Sequence, residues 1–210
     1  MEKYRRKIHQ AAKEEFSEKG YTASSLESVA SRAALDLCIV RALFIDKNQL
    51  FKAVLKEMVE PMLAAVTLAV EKIEDPREFM RKSLSLADEW LSANPEYVKL
   101  IQRCLLEKSC DLQTIYECSV YPSDYYERLR EMIQEGKLRC RDVMLLDLLF
   151  DSLILYPHMV RPYMERFCKN ESVEQCLAQR IDSIMDLFEN GLFQSKPSSV
   201  RSRIQPLSGD

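Results

Sequence analysis

Glycine is scarce in this chain of 210 residues, with four against eight prolines. A turn-rich β-sandwich, a glycine-rich phosphate cradle and a collagen-like repeat all need more of both, so helix is the expected state. Histidine is scarcer still: only His9 and His158 occur. No HExxH or ExxH metal pair is present, no His-assisted nucleophile is evident, and GxGxxG and P-loop motifs are absent. Neither enzyme chemistry nor a cofactor is therefore expected. CxxC spacing is also missing. The seven cysteines (Cys38, Cys104, Cys110, Cys118, Cys140, Cys168, Cys176) are odd in number and scattered, which reads as reduced thiols in the cytoplasm. Cys104, Cys110 and Cys118 match no standard zinc spacing. Long uncharged runs are lacking too. The most apolar stretch, Val143 to Val160, carries Asp147, Asp151, Pro157 and His158, and charge in lipid is costly. No membrane span is expected, and MEKYRRKIHQ contains no signal-peptide core.

What is present is a chain with 47% hydrophobic and 30% charged residues, able to build its own core without staples. Its net charge is −3, unevenly spread. Residues 1–52 hold ten basic and seven acidic side chains, a net of +3, which leaves −6 over 53–210. The two parts are expected to meet different partners.

Helix signals recur along the sequence. Ile8, Ala11, Ala12 and Phe16 form a one-sided apolar stripe that ends at Gly20. Ser24-Ser25-Leu26-Glu27 has capping-box spacing, with Ser24 as the cap. Asp36 is placed to cap a short helix from Leu37 to Phe44, and Asp46-Lys47-Asn48-Gln49 a long one that reaches about Glu74, with Pro61 as its weak point. Asp75-Pro76 and Asn94-Pro95 each put a capping side chain before proline at N1. Residues 109–121 are ambiguous between short helix and loop. Pro122 opens a helix ending near Gly136, and Ser172 caps the last one, which Gly191 stops. The expected fold is all-α with about nine helices: three short ones over 1–47, a larger helical part over 48–194, and a disordered tail over 195–210.

Three short helices with a tight Ala33-Ala34-Leu35-Asp36 turn between the second and third fit a helix-turn-helix, and equally an ordinary bundle. Residue detail favours the former. Ile8, Ala11-Ala12, Phe16, Gly20-Tyr21-Thr22, Ser25-Leu26, Val29-Ala30 and Ala33, then Phe44, Lys47, Leu50-Phe51 and Val54, resemble the TetR family of transcriptional repressors. They follow its "AA..lF.e.Gy..tsl..iA..ag" and "F..K..Lf..v" blocks over about a quarter of the chain. The third helix departs from the pattern. Where the family shows Gly-Val-Ser, then Gly-Thr-Leu-Tyr and an aromatic or His, this chain has Ala34-Leu35-Asp36 and LCIVRAL, with Arg41 at the tyrosine position.

The resemblance implies a homodimeric regulator of double-stranded DNA, released from a pseudo-palindromic operator by a small apolar or aromatic effector. It puts Thr22, Ser24 and Ser25 at phosphate, Leu37, Cys38, Ile39, Arg41 and Ala42 on the groove-facing helix, and Lys47 at a further phosphate. Lys3, Arg5 and Arg6 are candidates for the minor groove or backbone, although a lone run of this kind reads first as a solvated charged end. The altered third helix leaves two readings open. In one, Arg41 replaces a tyrosine–phosphate bond with a charge-assisted one; in the other, a helix this apolar no longer reads DNA and the dimer acts as a ligand-binding or protein-interaction module. Trp90, Tyr97, Cys104, Tyr116, Tyr126, Met132, Phe150 and His158 are candidates for an effector cavity, with core packing as the alternative for each. Leu146, Leu149 and Leu153, with Leu177, Ile181, Ile184, Leu187 and Phe188, are candidates for a four-helix dimer interface, again against an internal core.

Overall fold

In the computed structural model the described residues are 1–107, 112–140, 142–168 and 172–191; the expected tail and Cys110 lie outside them. Eleven helices follow one another: α1 (Glu2–Lys19), α2 (Leu26–Ala33), α3 (Leu37–Leu43), α4 (Lys47–Val70), α5 (Pro76–Ala93), α6 (Pro95–Glu107), α7 (Leu112–Ser119), α8 (Ser123–Gln134), α9 (Val143–Met159), α10 (Arg161–Phe167) and α11 (Val173–Gly191). The all-α expectation holds. The count rises from nine because the ambiguous segment contains α7, and because α10 follows Pro157 and Val160 as a separate short helix.

Most ends are where side-chain chemistry puts them. Asp36, Asp46, Asp75 and Asp142 each accept a backbone N–H of the first turn of α3, α4, α5 and α9. At α11 the box is reciprocal: Ser172 Oγ accepts from Gln175 N, and Gln175 Oε1 from Ser172 N. Two expectations need correction. The cap of α2 is Ser25, which exchanges bonds with Ser28 at 3.0 Å each way, in place of Ser24 with Glu27. Ser24 is 3% exposed, and its hydroxyl donates to the Gly20 carbonyl at 2.6 Å, closing the end of α1. Asn94 also turns backwards, its amide donating to Trp90 O at 2.8 Å. Pro61 sits inside α4 without ending it. It lies on the exposed side, where solvent can satisfy the carbonyl that proline leaves unbonded.

α4 is the central element. Its Phe51 receives Phe16 of α1 edge-on at 5.1 Å and Tyr21 at 5.0 Å, fixing α1 and the loop after it on the start of α4. Glu15, 1% exposed, bonds Lys19 at 2.7 Å and Arg32 at 2.9 Å, and Arg32 also reaches Glu18 at 2.6 Å. This network clamps α1 to α2. Further along, α5 packs on α4, α9 and α11, and Asp88 of α5 accepts from His158 Nε2 of α9 at 2.8 Å and from Arg180 of α11. Cys168 and Cys176 are disulfide-bonded, joining the end of α10 to α11, so the reading of seven reduced thiols is corrected at that pair. Their Cα atoms come within 6.7 Å, which sequence spacing alone does not reveal. Among the described residues no helix is long and apolar enough to cross a membrane.

Candidate nucleic-acid interface and ligand cavity

α2, the Ala34-Leu35-Asp36 turn and α3 form a helix-turn-helix. Leu26, Val29, Ala30 and Ala33 of α2 are buried, as is Val40 of α3, so α3 has one side on the core and one on the surface. Ala34 makes the bend in the left-handed region at φ 52°. Cys38, Arg41 and Ala42 are exposed on the outer side, whereas Leu37 and Ile39 are half-buried, and Leu37 packs against the core. Of the expected groove-facing set, three therefore present themselves to solvent.

The phosphate candidates divide similarly. Thr22 is exposed, Ser25 is half-buried as the α2 cap, and Ser24 is enclosed. Lys47 Nζ donates to the carbonyls of Tyr21 at 2.7 Å, Ser24 at 2.9 Å and Thr22 at 3.4 Å, and lies 4.3 Å from the Tyr21 ring centroid. It holds the loop before α2 onto α4. Arg41 bonds Glu27 at 2.8 Å, with both side chains more than half exposed. Glu27's own backbone N–H holds its carboxyl below the ordinary value, the Ser25 hydroxyl adding to this and Arg41 contributing less. Glu27 thus occupies the positive N-terminal end of α2. Arg5 lies over the Phe44 ring at 5.5 Å, bringing the basic start of α1 near the end of α3.

A cavity of about 350 Å³ opens among α4 to α9. Of the effector-cavity candidates, Trp90, Tyr97 and Phe150 line it; Cys104, Tyr126 and Met132 are buried outside its lining, and His158 is held by Asp88 instead. The side chain of Tyr116 lies outside what is described. Sequence reasoning missed Asp147, Asp151, Tyr121 and Tyr125, which line the cavity with Ser83, Ser119 and aliphatic residues. Available signals were two carboxylates four apart in the most apolar stretch, hence on one helix face, and a tyrosine pair whose register differs by one. Tyr125 faces the cavity, while Tyr126 turns behind it and donates to Asp147 at 2.9 Å.

The cavity's electrostatics follow from burial. Desolvation raises the Asp147 carboxyl, against the Tyr126 hydrogen bond. Asp151 is an exposed residue of the lining, yet desolvation by the surrounding protein pushes its carboxyl up to about 7, with the Asp147 charge adding to the shift. Burial also drives the phenol of Tyr97 up to about 12 and lifts Tyr121 and Tyr125. Tyr97 shares a hydrogen bond with Ser119 at 3.0 Å. Among the described residues no three His, Cys, Asp or Glu side chains are grouped to hold a metal ion.

Of the residues expected at a dimer interface, Leu146, Leu177, Ile181 and Ile184 are buried in this chain's own core, and Leu153 and Phe188 pack partly against it. Leu149 and Leu187 are 51% and 69% exposed. The outer face of α9 adds Met144, Leu145, Leu148 and Tyr156, all exposed. The apolar stretch thus has both an inner and an outer face.

No family model matches the sequence, and no curated protein matches it. Solved structures do. A protein from Shewanella sp. PV-4 assigned as a TetR-family transcription regulator is 16% identical with a TM-score of 0.71, over 91% of this chain and 99% of that one. A protein from Mesorhizobium loti MAFF303099 assigned to the same family is 20% identical with a TM-score of 0.62, over 91% and 98%. The fatty acid degradation regulator FadR from Bacillus halodurans is 16% identical with a TM-score of 0.64, over 87% and 93%. At such identities the shared property is the fold, and it extends through the helical part beyond the helix-turn-helix. In fold, the chain is similar to solved structures assigned to the TetR family of transcriptional regulators.

Proposed function

We propose that the chain is a homodimeric, cytoplasmic TetR-type transcriptional regulator with no catalytic role, a repressor released from DNA by a small apolar or aromatic effector. Residues 1–47 form the DNA-binding part and 48–194 the effector-binding and dimerisation part. The observation that carries this reading is the outer face of α3. Cys38, Arg41 and Ala42 are exposed there, on a frame fixed from behind by Val40 and by the Lys47 bonds to the α2 loop. A single helix of this length reads few base pairs, so a two-fold pair about 34–36 Å apart is the geometry that gives useful specificity. The outer face of α9, with Leu187 of α11, supplies an apolar surface for pairing. An effector acts only if it prefers the spacing that DNA rejects. Selection of duplexes from a randomised library by the purified protein tests the reading. Enrichment of a pseudo-palindrome with steep salt dependence is expected, and no selective binding at low salt overturns it.

One observation favours a second reading, in which direct DNA readout is lost and the dimer binds ligands or proteins. Glu27 fills the positive end of α2 and engages Arg41, and Asp36 adds a carboxylate at the start of α3. Glu27→Ala separates the two. On the DNA reading it frees Arg41 and raises affinity about three- to tenfold at low salt; on the second reading DNA binding stays absent.

A further inference from the structure

The charged side chains that line the cavity, among the described residues, are all of one sign. Among the described residues its lining contains two carboxylates, Asp147 and Asp151, and no lysine, arginine or histidine. Asp151 has no hydrogen-bond or ion-pair partner among those residues, although it faces a largely apolar space. Ser83, 3% exposed and also in the lining, has no partner for its hydroxyl within hydrogen-bond geometry. Tyr121 stacks on Tyr125 with centroids 4.2 Å apart, and Trp90 meets Tyr97 edge-on at 5.0 Å. Two acid groups one helical turn apart, beside aromatic rings, form a site that lacks only positive charge.

Resting on the reading of this cavity as the effector site, we propose that its ligand is an amphipathic organic cation. Its ammonium centre sits at Asp147 and Asp151 against the tyrosine faces, and its apolar or aromatic body fills the space towards Trp90. Three physical effects agree. The aromatic faces attract a cation most strongly when it is desolvated. A cation relieves the repulsion between the carboxylates and the desolvation cost of leaving them charged. The volume falls within the range of about 300–1,000 Å³ typical of small-molecule sites. An anionic lipid-like ligand meets the opposite situation, with two carboxylates and no counter-cation in the lining.

Trp90 is the sole tryptophan and lies in the lining, so its fluorescence reports occupancy of the full chain without a label. The probes are benzyltrimethylammonium, its uncharged carbon isostere neopentylbenzene, and the anion 4-phenylbutyrate. At pH 8 the cation is expected to bind at least tenfold more tightly than either of the others. Asp151→Asn should abolish that preference while leaving the isostere's affinity within twofold, and Asp151→Glu should restore part of it. Equal or tighter binding of the neutral or anionic probe, or a preference that survives Asp151→Asn, overturns the proposal. Duplex release is measured separately: cation binding without any DNA response defeats the regulator reading and leaves the cation site standing. A regulator that responds to 4-phenylbutyrate and ignores the cation defeats the cation site alone.

Discussion

Ala34 is the only described residue other than glycine with positive φ, and it stands where the TetR pattern has glycine. An L side chain in this region costs roughly 1–2 kcal/mol, partly offset because alanine restricts the unfolded chain more than glycine does. Ala34→Gly should therefore stabilise the protein by about 0.5–1 kcal/mol in urea unfolding; a loss of stability would show that the turn is not under strain. Lys47 and Arg41 differ in a measurable way. Lys47 bonds backbone carbonyls, so Lys47→Ala should weaken operator binding with little change in salt dependence. Arg41→Ala should lower the salt slope by about one if Arg41 contacts phosphate. Equal slopes for both variants would remove the distinction. At Asp151 the sign follows from the upward shift of its carboxyl. The unfolded carboxyl releases its proton near 3.8 and the folded one at about 7, so between those values the native state holds the extra proton and stability falls as pH rises. The groups facing it are Asp147 on its own helix and the neutral phenols of Tyr97, Tyr121 and Tyr125. Asp151→Asn should flatten that decline, raising the thermal midpoint at pH 8 and not at pH 4.

Among the elements, helix starts were the most legible feature. A cap uses a side chain and backbone donors two or three residues on, so Asp36, Asp46, Asp75 and Ser172 could be read locally. The failures were cases where neighbours competed for one role. Ser24 and Ser25 are chemically equal, and the choice was made by the end of α1, whose Gly20 carbonyl takes the Ser24 hydroxyl. Tyr125 and Tyr126 are likewise equal until α9 arrives with Asp147. The Asp88, His158 and Arg180 cluster is a polar tie between three helices. Its members are nearly buried, while Arg180 Nε and Nη1 have no hydrogen bond of their own. Asp88→Ala leaves that guanidinium without its carboxylate, and a loss of about 3 kcal/mol is expected by chemical denaturation. A change below 1 kcal/mol would mean that the cluster is not a structural tie.

At the scale of the whole molecule, apolar side chains remain uncovered on one face of α9. Leu145, Leu148 and Leu149 are each more than half exposed, and a contiguous apolar patch of this kind marks an interaction surface. If this face pairs two copies as proposed, the double variant Leu145→Arg with Leu149→Arg should sediment as a monomer at micromolar concentration where the parent chain is a dimer, with duplex affinity falling in parallel because two readers are no longer linked. Persistence of the dimer would place the interface elsewhere.

By itself the sequence determined the helical class, the caps of α3, α4, α5 and α11, the helix-turn-helix spacing and the separation of a basic first quarter from an acidic remainder. Each of these is set by residues within a few positions of one another, or by composition. Only the tertiary structure decided which apolar residues pack within this chain and which stay exposed. It also decided that Lys47 holds a loop, and that two aspartates share an aromatic cavity. Helical periodicity fixes the angle at which a side chain leaves its helix, whereas its environment depends on a second helix distant in sequence. The charge a carboxylate carries is a property of that environment.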